Sequence, residues 1–312
     1  MPHFEPVILF FVLGALAGFA RSDLRIPGVF YESLSIFLLL AIGLKGGVEL
    51  ARYRLSEVAL PAAVVVAVGA LIPLVAYPLL RRVGRLSRAD SGSIAGHYGS
   101  VSVVTFAVAS TYLSRLGQEV EGYITVLLVL LEFPALVIGV LLARRGERGT
   151  PWGKVLHEVF AGKSIVLLLG GLAIGWAAGP QGIAPLDSLF FDLFRGVLAF
   201  FLLEMGLVVA NRFSELRRAG LFLIVFAILM PLFSAGLGVV TGMLLGLSVG
   251  GVTLLATLYA SASYIAAPAA MRLAVPQANP ALSIGAALGI TFPFNLLVGI
   301  PLYHRLAQQA LQ

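Results

Sequence analysis

Two short runs place hydroxyl groups at a spacing that can do chemistry. Tyr98-Gly99-Ser100-Val101-Ser102 and Tyr259-Ala260-Ser261-Ala262-Ser263 both read Tyr-small-Ser-small-Ser, 161 residues apart. Serines two apart point about 200° from one another on an α-helix but to one side of an extended chain. A helix broken at each run would turn both hydroxyls of that run toward one site. Glycine and alanine beside them let backbone N–H groups approach a small ligand, and a helix N-terminus adds partial positive charge suited to an anion. The substrate-binding candidates are therefore Tyr98, Gly99, Ser100, Val101 and Ser102 in the first run, and Ser261, Ala262, Ser263 and Tyr264 in the second. Small-residue clusters also serve close helix packing, and buried serines commonly bond back to a carbonyl one turn earlier. The paired occurrence is what favours a site.

Carboxylates form the second group. Glu132 in "VLLVLLEFPALV" and Glu204 in "AFFLLEMGLVV" have apolar neighbours for a full turn on each side. Such a group inside a membrane is expensive unless paired or hydrated, so each is a functional candidate; a neutral Glu bonded to a carbonyl is the structural alternative. Glu132 is followed by Phe133 and Pro134, and the proline removes a backbone donor and leaves a carbonyl free. The matching segment of the second half offers Thr291 and Asn295. Oxygens of this kind coordinate a sodium ion, and Ser102, Thr105 and Ser263 join Glu132, Thr291 and Asn295 as cation-binding candidates. His97 is either a pore-lining donor or a hydrogen-bonded structural histidine. His3, His157 and His304 fall in loops or ends, and no His/Asp/Glu cluster has metal-ligand spacing. Nucleophile-elbow, phosphate-loop and metalloprotease motifs are missing too, so neither an enzyme nor a cofactor other than sodium is expected.

These residues sit in an unusually apolar chain. Of 312 residues, 59% are hydrophobic and 12% charged, and there is no cysteine. With a mean hydropathy of +1.00, the composition is that of an integral membrane protein rather than a soluble domain. The pI near 9.8 comes from short basic clusters between apolar runs, which set topology, so no nucleic-acid partner is expected. The start, "MPHFEPVILF", has no basic residue before its apolar stretch and reads as a retained helix. Apolar runs fall at about 7–20, 29–44, 58–80, 122–143, 164–178, 195–210, 219–246 and 280–303, and two interrupted ones at 91–114 and 250–273. That predicts ten crossings. With ten, fifteen Lys/Arg fall on the side opposite the N-terminus and six on the N-terminal side, counting Arg195 there. Both termini are then outside the cell membrane and the loop 144–163 cytoplasmic.

The chain also repeats itself in order. "LGALAG" (13–18) returns as "LGGLAI" (169–174), "IGLKGG" (42–47) as "MGLVVA" (205–210), "IPLVAY" (72–77) as "MPLFSA" (230–235) and "EFPALVIGV" (132–140) as "TFPFNLLVGI" (291–300). Five crossings per copy is an odd number, so the second copy enters from the opposite face. The expected fold is all-α, ten transmembrane helices in two inverted repeats, with broken helices at their interface. Residues 1–148 form the first repeat, 149–163 a short cytoplasmic linker and 164–312 the second.

The run "LFRGVLAFFLLEMGLVVANRFSELRRAG" (193–220), "LEFPALVIGVLLA" (131–143) and "MRLAVPQANPALSIGAALGITFP" (271–293) resemble the sodium-dependent bicarbonate transporters of cyanobacteria and their bacterial relatives. The most specific parts are Leu193 to Gly196, Ser214 to Leu216, Glu132 to Leu136 and Pro276 to Pro280. The resemblance implies a core domain moving against a gate domain, a homotrimer, and sodium-coupled bicarbonate uptake, with the anion held between segments 98–105 and 260–268. The sequence departs from that pattern at Ser102-Val103-Val104-Thr105, where the cyanobacterial proteins read Ser-Gly-Ser-Thr. It departs again at Ser261 to Pro268, where they carry more serines and an aspartate. Their long cytoplasmic insertion is reduced here to about Arg144 to Lys163, which leaves a soluble regulatory partner open. The sequence reading is thus a secondary transporter of a small anion, bicarbonate first. A cation-coupled transporter of another small carboxylate or solute, and a non-transporting membrane receptor or scaffold, stand as alternatives.

Overall fold

The computed structural model describes residues 6–145, 153, 156–157, 160–218 and 220–312, with side chains from 212 to 218 excepted. Arg148 and Lys154, most of the linker 149–163, and the side chains of Arg212, Arg217, Arg218 and the 214–216 motif lie outside the described residues. All regular structure among the described residues is helical. In chain order the helices are α1 (Pro6–Phe19), α2 (Gly28–Leu50), α3 (Leu55–Val83), α4 (Arg88–Gly99), α5 (Val103–Arg115) and α6 (Ile124–Ala143). They continue as α7 (Lys163–Leu186), α8 (Phe194–Arg218), α9 (Gly220–Leu244), α10 (Val249–Ala260), α11 (Ala266–Ala274) and α12 (Pro280–Ala310).

Among the described residues, seven helical segments are long and apolar enough to cross a membrane: α2, α3, α6, α7, Ser188–Asn211, α9 and α12. Helix α1 is shorter, 14 residues or about 21 Å at the helical rise. The sequence puts the seventh apolar run at 195–210, yet α8 continues to Arg218. Apolar runs mark only the lipid-length part of a helix, and the polar stretch after Ala210 keeps helical backbone. Pro134 removes a backbone donor, yet α6 runs through it without a break. Proline removes the one bond to the carbonyl four residues earlier, and neighbours on both sides maintain the turn.

Glycine decides how these helices assemble, because a helix surface without a side chain lets a neighbouring backbone come close. A Cβ at Gly14 of α1 would strike the Leu203 carbonyl of α8, and one at Gly206 of α8 the Phe11 carbonyl of α1. The same contact recurs between α2 and α7, where Gly43 and Gly47 face Gly171 and Gly175. In the other half of the molecule, Gly92, Gly96 and Gly139 bring α4 against α6, and Gly238 brings α9 against Ala256 of α10. Helices α1, α2, α7 and α8 therefore form one group of pairs, and α3 to α6 with α9 to α12 form another. An aromatic row joins the groups: Phe11 of α1 meets Phe292 of α12 edge-on at 5.6 Å, and Tyr264 meets Phe292 at 5.2 Å.

Candidate functional site

The two serine runs lie where two helices stop. Helix α4 begins at the cap Ser87, whose hydroxyl accepts from the Asp90 amide, and ends at Gly99. Helix α10 begins at the cap Ser248, whose hydroxyl accepts from the Gly251 amide, and ends at Ala260. Ser100 (φ −83°, ψ 172°) and Ser261 (φ −82°, ψ 164°) then turn the chain extended at almost the same dihedral angles. After each break a second helix starts, α5 at Val103 and α11 at Ala266.

The breaks touch each other. The Ser102 amide donates to the Ser261 hydroxyl at 2.9 Å, and the Ser263 amide donates to the His97 carbonyl at 2.8 Å. The Ser261 hydroxyl in turn donates to the Leu258 carbonyl at 2.8 Å. Backbone groups freed by breaking one helix are satisfied by the other, which is what irregular chain inside a membrane requires.

The hydroxyls divide the work within each run. Ser102 caps α5, accepting from the Thr105 amide at 3.2 Å and the Thr105 hydroxyl at 2.9 Å. On α11 the cap position is Ile265, and the Ser263 hydroxyl two residues earlier accepts from the Ala267 amide at 3.2 Å. Ser100 instead donates to the Glu132 carbonyl of α6 at 3.3 Å. Gly99 has no room for a side chain, since Pro73 and Ala135 lie against it. Val101 and Ala262 are buried between the breaks.

Of the cation candidates, Thr291 and Asn295 sit on α12 where its backbone widens into π-helical turns, Gly285–Thr291 and Asn295–Gly299. Such turns recur at functional sites. The Tyr98 hydroxyl donates to Thr291 at 2.7 Å, and Thr291 donates to the Ala227 carbonyl of α9. Asn295 donates to the Ala260 carbonyl at 2.9 Å, the last carbonyl of α10, and accepts from the Tyr303 hydroxyl at 2.8 Å. Both side chains thus brace the breaks. Glu132 is reached from the first break through its backbone, while its carboxyl oxygen Oε2 is buried with no hydrogen-bond partner. His97 donates through Nδ1 to the Ser93 carbonyl at 2.8 Å, which makes it part of the helix, and its Nε2 is buried without a partner. Glu204 is only half-buried. No group of three or more His, Asp or Glu side chains stands together as a metal site among the described residues.

Val103 and Val104, already marked in the sequence as a departure from the family pattern, form the first turn of α5 after the cap spacing Ser102-x-x-Thr105. Tyr31 of α2, which stacks on Phe201 of α8 at 5.2 Å, is not marked by anything local in the sequence.

What the arrangement can do follows from its parts. Two helix N-termini and two helix C-termini converge on one crossing of extended chain, so amide donors and carbonyl acceptors lie close together. Donors suit an anion and acceptors a cation. Compared with known families, residues 6–308 match the profile of the Na+-dependent bicarbonate transporter superfamily. No curated relative matches the chain.

Proposed function

Because this chain belongs to the Na+-dependent bicarbonate transporter superfamily, we propose that it is a secondary active transporter that carries bicarbonate across the cell membrane together with sodium. The observation that carries the reading is the pair of crossed helix breaks, set in a chain that matches the family over nearly its whole length. In this reading the anion lies against Tyr98 to Ser102 and Ser261 to Tyr264. Sodium is held by oxygens of Ser102, Thr105, Glu132, Ser263, Thr291 and Asn295 when the bracing bonds rearrange around it.

We read the architecture as ten crossings: the seven long helical segments, α1, and the two broken pairs α4–α5 and α10–α11. Residues 1–148 and 164–312 are then inverted copies joined by the linker 149–163. The glycine contacts support this, since Gly14 against Gly206 and Gly43 against Gly171 are the same contact with the copies exchanged. The group α1, α2, α7 and α8 is the gate, and the group holding the breaks is the core that moves against it. Both termini face outside, the loop 144–163 faces the cytoplasm, and three copies assemble, as the family resemblance implies. The chemistry is translocation, with no covalent step.

The test is uptake of labelled bicarbonate by purified protein in liposomes, with an inward sodium gradient against an equal potassium gradient. Accumulation that needs sodium is the expected result. Equal, slow entry under both gradients would remove the transport reading and leave a receptor or scaffold.

A further inference from the structure

Arginines gather at the corner of the core where α3 ends. The last turn of α3 exposes Leu79, Arg82 and Val83, and Arg85 and Arg88 follow, both exposed. The helix leading to them is open to its surroundings, with 28% of its most apolar stretch buried. Gly84 has no room for a side chain because the Phe222 ring of α9 lies against it, which brings Leu221, 76% exposed, to the same corner. The start of α4 meets the end of α6 here, since Arg88 donates to the Arg145 carbonyl at 3.4 Å. Among the described residues, none of Arg82, Arg85 and Arg88 forms an ion pair with a carboxylate. The neighbouring acid, Asp90, is engaged by the Ser87 hydroxyl and the Asn279 amide.

The backbone gives a second, independent observation. Arg85 stands at φ 53°. The Leu86 amide donates to the Leu80 carbonyl and the Arg81 side chain to the Leu86 carbonyl, closing a left-handed helix end of the kind at which glycine is favoured. Contact with Phe222 accounts for Gly84, but nothing in the fold asks for an arginine one residue later. Nor does orientation ask for it, because a positive charge counts equally at other positions on that side of the membrane. Among the described residues the other non-glycine position with positive φ is also an exposed arginine, Arg21 at φ 56°, just beyond the end of α1. In both places the chain accepts a left-handed backbone and gains an exposed guanidinium at the end of a membrane helix.

We propose that Arg82, Arg85 and Arg88 bind the phosphate of an anionic phospholipid whose acyl chains lie against Leu79 and Val83 of α3 and Leu221 of α9. A guanidinium meets a phosphate through two parallel N–H bonds, and three of them supply the charge that one anionic headgroup balances. The exposed apolar side chains decide the source of the phosphate. A free phosphate or an acidic protein would leave Leu79, Val83 and Leu221 uncovered, whereas a lipid brings its own hydrocarbon to them. The site lies away from the helix breaks and does not depend on what the chain carries, so its failure and that of the transport reading are separate results.

The test titrates the thermal denaturation midpoint of the purified full-length protein, held in a neutral detergent, with phosphatidylglycerol, phosphatidylcholine and glycerol phosphate. Phosphatidylglycerol is expected to raise the midpoint saturably, and less so as salt is added. Phosphatidylcholine and glycerol phosphate at the same concentrations should leave it in place. Arg82→Gln should raise the half-saturating phosphatidylglycerol roughly fivefold, the worth of one basic residue at an anionic surface. Arg54→Gln, at the other end of α3, should leave it unchanged. Arg85→Gly should produce two shifts at once. The lipid-free midpoint rises because glycine suits the left-handed position, and the half-saturating lipid also rises, again roughly fivefold. Unchanged half-saturation in Arg85→Gly would overturn the assignment, as would an equal change in Arg54→Gln, which would mean general attraction without a site. A midpoint raised as much by glycerol phosphate would give the arginines to a free phosphate, and one raised as much by polyglutamate would give them to an acidic protein; either result overturns the lipid. Should Arg82→Gln fail to fold, Arg85→Gly decides alone.

Discussion

Ser100 and Ser102 are two residues apart and face different partners. One donates across to the Glu132 carbonyl, and the other caps α5. The sequence makes the break legible, because a Tyr-small-Ser-small-Ser run inside an apolar stretch has few other uses. It does not say where each hydroxyl goes, since that depends on partners such as Ser261, which contacts Ser102 from 159 residues away. The same limit applies to Thr291 and Asn295. Their position opposite Glu132 in the repeat gives no sign that their bonds run to Tyr98, Ala227, Ala260 and Tyr303. Glu132 keeps its unpartnered carboxyl oxygen and is 1% exposed as a residue, and it is the acid assigned to the cation in the proposed function. Glu132→Gln retains the shape and removes the charge. Transport in liposomes should then need about tenfold more sodium or beyond, in line with the 1.5–3 kcal/mol of a charged contact. Sodium curves that superimpose on wild type would eliminate Glu132 as a coupling residue.

The broken pairs are the element in which sequence and structure agree most closely. Caps Ser87 and Ser248, ends Gly99 and Ala260, and first extended residues Ser100 and Ser261 all keep the 161-residue offset of the serine runs. What fastens these half-helices is not local. The N-terminus of α10 is held by Glu121, whose carboxylate accepts from the Ser248 amide at 2.6 Å, and that of α4 by Asp90, which accepts from the Asn279 amide at 2.7 Å. Each fastening crosses from one half of the chain to the other, so no window of sequence contains it. The inner end of α10 depends on Asn295, which holds the Ala260 carbonyl. Asn295→Ala would leave that carbonyl and the Tyr303 hydroxyl without partners, a loss of about 1–3 kcal/mol for each buried group. The denaturation midpoint should fall whether or not sodium is present. If Asn295 also binds the cation, the extra stabilisation that sodium gives wild-type protein should vanish in this variant; if it only braces α10, that increment should persist.

At the scale of the whole molecule, charge rather than packing fixes orientation. The described core would look the same whichever face met the cytoplasm, because helix contacts do not refer to the outside. The basic residues do: a ten-crossing path puts fifteen on one side and six on the other, and Lys and Arg are retained on the cytoplasmic side during insertion. Absence of cysteine from the chain makes this directly measurable with single introduced thiols. Asp23 between α1 and α2 is exposed, and so is Glu119 between α5 and α6. The ten-crossing path places these two loops on opposite faces, three crossings apart. A membrane-impermeant maleimide applied to intact cells should label Glu119→Cys and spare Asp23→Cys until the membrane is opened. Both positions labelling from outside would mean that a segment between them does not cross, and the inverted repeat would lose its odd number of helices. Labelling of Asp23→Cys alone would keep the path and reverse it, placing the basic clusters outside against the rule that sets them.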